Sequence, residues 1–270
     1  MDTIHDARDN FMKIVMRNNN YYAQFIRDFS MNQLLKNVQP EDIEDISERF
    51  IPLVTDGQDA DTVKQIRLSG TEEPVFIISL TEHQSSVRFD IAIKLLQYMV
   101  YIWIDYCRRN DEKCDENKKN GIEDPRLVRS SAKGFKLPPI LPIVYYDGEH
   151  TWTADRNFAE RVFPRAGFEE YIPQFSYVLV DLNQYSREEL QSNQNLMSLV
   201  MILDKIKTPE DALGIKQYAE PCLEAAEQSS LDILRQVTVL IMNKAGVDQS
   251  VIKKTVELYE GRPTQMFEVL

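Results

Sequence analysis

The feature that most constrains the fold is a change of hydrophobic period between residues 61 and 80. In residues 61–68 (DTVKQIRL), the side chains of Val63, Gln65 and Arg67 alternate with those of Lys64, Ile66 and Leu68. This alternation is typical of a half-exposed β-strand. The segment SGTEEP at 69–74 has turn chemistry, and residues 75–80 (VFIISL) form a short apolar run typical of a buried strand. The pattern predicts a hairpin whose second strand lies inside a sheet.

Further elements are predicted on both sides of this hairpin. Additional strands are predicted at residues 48–54, 137–146 and 175–182. Helices are predicted at residues 6–29, broken near the asparagines at 18–20, and at residues 87–109, followed by an exposed loop at 110–124. A meander followed by a crossover helix and more strands indicates an α/β fold with a mixed central sheet flanked by helices.

From residue 185 onward the pattern is helical. Ser186 and Glu189 have the spacing of a capping box, which marks the start of a helix. A chain of 270 residues is long enough for one large core with a smaller attached unit. We therefore predict a first domain at residues 1–184 and a helical C-terminal module at residues 185–270.

The charge of the chain argues against non-specific binding to nucleic acid. The formal net charge is -12, and contacts to phosphates require Lys and Arg. Residues 125–136 (PRLVRSSAKGFK) are a local exception, because they contain four basic residues and no acidic residue. These residues are Arg126, Arg129, Lys133 and Lys136. The segment is either a solvated loop or a surface that contacts DNA.

Cysteine usage and targeting signals predict a cytoplasmic protein. The three cysteines form no CxxC pair, so neither a disulfide framework nor a cysteine-rich zinc site is expected. The polar start MDTIHDARDN lacks the pattern of a signal peptide. The most apolar window, at residues 91–104, is interrupted by Lys94 and Gln97 and predicts a buried helix with no membrane contact.

Three side chains with oxygen atoms fall near the open end of the predicted hairpin. If the turn is centred near Thr71 and Glu72, Asp61 lies opposite Glu82, with Cβ atoms about 5 Å apart. Two carboxylates at that distance repel each other unless a cation lies between them. Glu82 and Gln84 lie on the same face of their strand. Oxygen ligands suit Mg²⁺ or Mn²⁺, although acids at strand ends are more often simple caps.

Two sequence blocks resemble one known family. They are IRLSGTEEPVFIISLTEHQSSVRFDIAIKLLQYMVYIW and LPPILPIVYYDGEHTWTA. Both resemble the Rpn/YhgA-like family, the recombination-promoting nucleases, which are also described as PD-(D/E)XK nuclease family transposases. The resemblance covers roughly residues 5–205. It implies a restriction-endonuclease-like core with the order αβββαβ and magnesium-dependent cleavage of DNA.

The resemblance also implies roles for individual residues. Asp61 in ADTV matches the motif aspartate of the family, and Glu82 in EHQ matches its acidic metal ligand. The backbone carbonyl of His83 is implied as a further ligand. Gln84 stands where many nucleases have Lys, and its amide carries no positive charge, although it can orient a water molecule.

Three more residues are weaker candidates. Asp6 resembles an acidic position at the start of the first helix of the family, where it is either an additional acid at the metal or a helix cap. Lys64 and Arg67 flank the motif strand, where they contact either DNA phosphates or only water.

These observations predict a Mg²⁺-dependent DNA endonuclease in which Mn²⁺ substitutes for Mg²⁺. Low sequence specificity is expected, because the chain has no helix-turn-helix or zinc-finger motif. The resemblance implies a link to recombination or DNA mobility. A homodimer fits double-strand cutting, because one site cuts one strand at a time. Two alternatives stay open: a degenerate nuclease fold that acts as a protein-interaction module, and an RNase with the same core.

Overall fold

A computed structural model describes residues 11–54, 61–68, 74–82, 87–163, 166–223, 226 and 228–259. The strands are β1 (Ile43–Asp45), β2 (Thr62–Arg67), β3 (Pro74–Glu82), β4 (Ile140–Tyr146) and β5 (Val178–Asp181). The helices before β4 are α1 (residues 11–17), α2 (Asn19–Phe29), α3 (Ile51–Val54) and α4 (Ile91–Lys119). The helices after β5 are α5 (Arg187–Gln191), α6 (Leu196–Asp204), α7 (Ile215–Cys222), α8 (Gln228–Lys244) and α9 (Gln249–Glu257).

The five strands form one mixed sheet. Their order in the sheet is β1-β2-β3-β4-β5, the same as their order in the chain. The first three strands are antiparallel, and β3, β4 and β5 run parallel. A parallel neighbour requires a crossover connection, and α4 lies in the connection from β3 to β4. The predicted α/β fold with a mixed sheet and flanking helices is confirmed, and its element order is compatible with a nuclease-like core.

Helices cover both faces of this sheet. On one face, Val63, Ile78 and Leu80 pack in a hydrophobic cluster with Leu95 and Tyr98 of α4. We call this the α4 face. The opposite face, which we call the α2 face, packs against α2 and α6. Its cluster includes strand residues Ile66, Ile77 and Ile143 together with helix residues Phe25 and Leu199. Because neighbouring strand residues point to opposite faces, Ile77 and Ile78 fall in different clusters.

The prediction of a strand at residues 48–54 is wrong. Residues 47–49 form a single 3-10 turn, and residues 51–54 form the short helix α3. Phe50 and Ile51 are nevertheless buried in the cluster of the α4 face. A short apolar run indicates burial, but its periodicity does not separate a strand from a helix. The first strand of the sheet lies a few residues earlier, in β1.

The predicted exposed loop at residues 110–124 is also wrong in its first part. Helix α4 continues through this segment to Lys119 and is 29 residues long. An ion pair at helical spacing joins the predicted helix to its extension, because Arg108 lies 2.8 Å from Glu112. Gly121 then takes a φ of 66°, in the left-handed region that often terminates helices.

The helices after residue 185 pack on the α2 face. The Tyr21 hydroxyl donates to the Ser230 carbonyl of α8, at 2.7 Å, and the backbone N–H of Met197 donates to Gln24, at 2.9 Å. Leu199, Val237 and Phe25 belong to one hydrophobic cluster. The C-terminal helices therefore help to cover the sheet. The boundary between residues 184 and 185 stays a prediction.

The predicted helix break near residues 18–20 and the predicted helix start at Ser186 are confirmed. The Asn18 side chain accepts hydrogen bonds from the N–H groups of Asn20 and Tyr21, so it caps α2 and separates it from α1. Ser186 and Glu189 form the expected capping box at α5. In the part of the chain that the structure describes, no helix combines the length and apolar character needed to cross a bilayer.

Candidate functional site

Asp61 is buried between the sheet and α4. It directly precedes β2, and its side chain is fully inaccessible to solvent. Its Oδ2 atom accepts a hydrogen bond from the Tyr98 hydroxyl at 2.9 Å and lies 2.9 Å from the Lys94 Nζ atom. Asp61 and Val63 are two residues apart, so both lie on the α4 face. Strand alternation thus brings the predicted motif aspartate under this helix.

Helix α4 supplies both partners of Asp61 from consecutive turns. Lys94 and Tyr98 are four residues apart, a spacing that places two side chains on the same helix face. Leu95, also buried, anchors that face to the sheet, and Lys94 itself is only 7% exposed. Removing one partner of a buried ion pair typically costs about 3–5 kcal/mol, because the other charge loses its compensation. The pair therefore fixes α4 over the start of β2.

The sequence contains a signal for this pair that our interpretation of the sequence missed. Lys94 interrupts an apolar stretch, and we took the interruption only as evidence against a membrane span. Because Ile91, Leu95 and Tyr98 define the buried stripe of α4, a lysine at position 94 lies at the edge of that stripe. A buried cation requires a carboxylate nearby, so its position pointed to an acidic partner.

The predicted register of the hairpin is wrong by two residues. Thr62 pairs with Ser79, and Arg67 pairs with Pro74. Extended by one position, this register places Asp61 level with Leu80, whereas we predicted a position level with Glu82. The midpoint of the hairpin falls one residue earlier than expected, since pairing starts at Arg67 and Pro74. A shift of two residues retains the face of the sheet, which a shift of one would have reversed.

Glu82 lies at the end of β3, close to the level of Asp61. It is the last residue of the strand, and its Cα atom is paired with that of Tyr146 at the end of β4. A diagonal neighbour two positions along an adjacent strand is typically about 7–8 Å away. The backbone thus brings positions 61 and 82 near each other at one edge of the sheet.

Two other acids, Asp181 and Asp147, lie at the same edge of the sheet. Asp181 ends β5 and caps the 3-10 turn that follows, because it accepts a hydrogen bond from the Asn183 N–H at 3.1 Å. Asp147 follows β4 and is 2% exposed. Among the residues that the structure describes, no group of three or more His, Cys, Asp or Glu side chains is arranged to hold a metal ion. Asp6, His83 and Gln84 lie outside the described residues.

The assignment of Lys64 to DNA binding is contradicted by its burial. Its side chain is fully buried on the α2 face, where Nζ lies 2.8 Å from Asp45 and 2.9 Å from the Arg17 carbonyl oxygen. Burial lowers the pKa of Lys64, and the hydrogen bond with Asp45 offsets this effect only in part. The prediction was wrong because β2 is covered on both faces, so alternation does not bring Lys64 to solvent.

The other basic candidates are exposed, and acidic neighbours offset the charge of two of them, Arg126 and Arg129. Arg67 is exposed at the end of β2. The four basic residues of segment 125–136 are also exposed, at positions 126, 129, 133 and 136. Arg126 lies 3.5 Å from Asp124, and Arg129 forms an ion pair with Asp115 of α4. The sequence therefore overstates the positive charge of this segment.

The comparisons with known proteins identify a family. A family model described as "Putative transposase, YhgA-like" matches residues 5–233. The match includes the whole sheet, Asp61, α4 and the helices up to the first part of α8. No curated protein matches the chain significantly. No solved structure matches it significantly either. Because the model covers most of the sequence, this chain belongs to the YhgA-like transposase family.

Proposed function

We propose that this protein is a Mg²⁺-dependent endonuclease that hydrolyses phosphodiester bonds of DNA, with Mn²⁺ as a working substitute. Membership of a transposase family supports DNA as the substrate. The observation that carries the proposal is the placement of Asp61. It is fully buried at the start of β2, and the pairing of β2 with β3 brings Glu82 to a diagonal position. A role in recombination or DNA mobility and low sequence specificity are part of the proposal.

The residues of this edge suit a hard divalent cation. Mg²⁺ usually binds through one or two carboxylates and retains several waters, and Asp61 and Glu82 supply two carboxylates. The backbone carbonyl of His83 is proposed as a third protein oxygen. When bound, Mg²⁺ lowers the pKa of a coordinated water and stabilises negative charge on the phosphate.

In this proposal, residues of the chain orient the Asp61 carboxylate, the attacking water and the DNA backbone. The Tyr98 hydroxyl donates a hydrogen bond of 2.9 Å to Asp61 Oδ2 and so orients the carboxylate, and the Lys94 ammonium lies 2.9 Å from the same oxygen. Gln84 orients the attacking water through its amide oxygen, since an amide accepts a hydrogen bond but does not exchange a proton near neutral pH. Arg67 and the basic segment 125–136 are proposed to contact the DNA backbone.

Nicking of supercoiled plasmid tests this function. We expect nicking by the wild type with Mg²⁺ or Mn²⁺, and loss of nicking with EDTA. Glu82→Gln should lower the rate by about a hundredfold or more, as does removal of a group that stabilises transition-state charge. Asp61→Asn should do the same, with circular dichroism confirming that it folds. Glu112→Gln, on the exposed part of α4, is the matched control and should retain full activity.

One observation favours a second function, that of a catalytically degenerate fold that binds a protein partner. Asp61 already has a cation, Lys94, and the formal net charge of -12 disfavours DNA. Under this alternative the ion pair serves only to attach α4 to the sheet. Folded protein that binds no Mn²⁺ and cuts neither DNA nor RNA would replace the nuclease proposal with this one. Cleavage of RNA alone would change the substrate and retain the metal site.

A further inference from the structure

The contact between Lys94 and Asp61 raises a question about the charge balance of the proposed site. The Lys94 ammonium lies 2.9 Å from Asp61 Oδ2, and the side chains are 8% and 0% exposed. A lysine this buried is retained only with a close partner, because an isolated buried ammonium is strongly unfavourable. Yet the same carboxylate is the proposed ligand of a divalent cation. Two cations would therefore share one carboxylate.

A second observation concerns position 84. Many nucleases of the PD-(D/E)XK type have a lysine there, and this chain has Gln84, which has no charge. A site with two carboxylates and a phosphate has more negative charge than one divalent cation neutralises. Lys94 is one turn from Tyr98 on α4, and both contact Asp61. A positive charge is thus present beside the motif aspartate, delivered from the helix and not from the strand.

Other cations near this part of the fold are placed differently. Lys64 belongs to the same strand as the motif but is buried on the α2 face, where it binds Asp45. Arg88, just before α4, pairs with Asp90 at 2.6 Å. Arg67 ends β2, at the opposite end from Asp61. Of these basic residues, Lys94 is the one whose charge the structure directs at Asp61.

We propose that Lys94 is the tethered counter-ion of Asp61: it holds the carboxylate until a divalent cation displaces it, and then supplies to the phosphate the positive charge that Gln84 lacks. This inference rests on the proposed function. The ammonium group is suited to the change, because it is a compact charge on a flexible four-carbon chain. Once the divalent cation binds Asp61, the Lys94 ammonium needs another anionic partner, and a phosphate oxygen of the substrate supplies one.

The proposal makes Lys94 and the metal competitors for Asp61, so binding and cleavage should respond in opposite directions. In Lys94→Met we expect Mn²⁺ to bind about tenfold more tightly, which is within the usual range for coupling between two ligands. Plasmid nicking should fall about a hundredfold, because the phosphate loses a compensating charge. A lysine with a purely structural role would lower both quantities together. Lys113→Met, an exposed lysine on the same helix, is the matched control.

Mn²⁺ affinity is measured by electron paramagnetic resonance of free Mn²⁺, and folding by the thermal midpoint with and without Mn²⁺. Mn²⁺ should raise the midpoint of Lys94→Met more than that of the wild type, since it restores a counter-ion to Asp61. If Lys94→Met does not fold without metal, Lys94→Arg replaces it. That variant retains a cation on Asp61 and should bind Mn²⁺ no more tightly than the wild type.

The outcomes separate this inference from the function on which it rests. Equal or weaker Mn²⁺ binding by Lys94→Met overturns the competition, and unchanged nicking overturns the role at the phosphate. Tighter Mn²⁺ binding by Lys94→Arg overturns the competition as well. In each case a wild type that binds Mn²⁺ and nicks plasmid leaves the nuclease proposal standing. A wild type that does neither overturns both.

Discussion

At the scale of single residues, two buried lysines lie on opposite faces of the sheet, Lys94 on α4 and Lys64 on β2. Lys94 reaches Asp61 on the α4 face, and Lys64 reaches Asp45 on the α2 face. Lys64 Nζ also donates a hydrogen bond to the Arg17 carbonyl oxygen and lies 5.2 Å from the centroid of the Tyr22 ring. Both lysines come from segments that otherwise have buried apolar neighbours. Lys94 joins α4 to the start of β2, and Lys64 joins β2 to its neighbour β1 and to the end of α1.

The pair formed by Lys64 and Asp45 predicts a dependence of stability on pH. Burial opposes ionisation of Asp45, but hydrogen bonds from Lys64 and Ser47 outweigh it and hold the pKa of Asp45 below its ordinary value of 3.8. A carboxyl whose pKa is lower in the folded state stabilises the fold above its ordinary pKa, and this contribution disappears as the pH falls through the folded value. We therefore expect the wild type to exceed Asp45→Asn in stability near neutral pH.

Urea unfolding at a series of pH values measures this difference. The free-energy gap between the wild type and Asp45→Asn should be constant from about pH 7 to about pH 5 and should shrink below about pH 4. Glu257→Gln, an exposed residue of α9, is the control and should show little gap at any pH, because surface ion pairs contribute little. A gap for Asp45→Asn that does not depend on pH would contradict the assignment.

At the scale of elements, the sequence predicted β2, β3, β4 and β5 because their patterns are unambiguous. Residues 75–80, for example, form an apolar run rich in β-branched side chains, which is typical of a strand covered on both faces. β1 escaped prediction because it has three residues, two of them acidic and exposed. A segment of that kind becomes a strand only because its backbone can form hydrogen bonds with the edge of β2. Its pairing is a tertiary effect that no local pattern contains.

In the candidate site, too, local patterns were predictable and tertiary contacts were not. The resemblance to the family made Asp61 and Glu82 candidates, and their role at a metal stays a prediction; the period of two assigned them to one face of the sheet. It did not give the register, since the hairpin midpoint depends on where pairing begins. It also missed Lys94 and Tyr98, whose role depends on how α4 lies across the sheet. The face on which a strand residue lies was predictable from the local pattern, and the distances between elements were not.

The cap of α2 gives a prediction at this scale. The Asn18 side chain accepts hydrogen bonds from two N–H groups that the helix leaves without partners, at 3.0 and 3.3 Å. Asn18→Ala should therefore lower the free energy of unfolding by about 0.5–2 kcal/mol, measured by urea denaturation. Asn18→Ser should restore most of the loss, because serine also caps. Asn37→Ala, an exposed asparagine, should change stability little. An equal loss in Asn18→Ser would contradict the capping role.

At the scale of the whole molecule, the N-terminal and C-terminal parts of the chain share one core. Asn195 donates to Asp28 at 2.7 Å, and the Tyr145 hydroxyl donates to Asp204 at 2.8 Å. Both bonds join a residue before 185 to one after it. Asp204 is fully buried, so this interface is as inaccessible to solvent as the interior of the sheet.

This arrangement predicts that the chain unfolds as one unit. The full chain should show a single thermal transition, observed alike by tryptophan fluorescence and far-ultraviolet circular dichroism. A fragment of residues 1–184 should lack a cooperative transition, because the α2 face would lose the cover of α6 and α8. A fragment of residues 1–259 should behave as the full chain does. A cooperative transition in the fragment 1–184 would instead support an independent first domain.

The sequential order of the strands has a consequence for synthesis on the ribosome. Each strand from β2 to β5 emerges after the neighbour it pairs with, so the sheet can assemble as the chain grows. The hydrogen bond from Tyr21 to Ser230 cannot form until Ser230 has been synthesised, 209 residues later. At about 5–20 residues per second this takes roughly 10–40 s. During that interval a growing chain presents the aromatic face of α2 without its final cover. The yield of folded protein in a cell therefore depends on whether translation ends before that face meets another nascent chain.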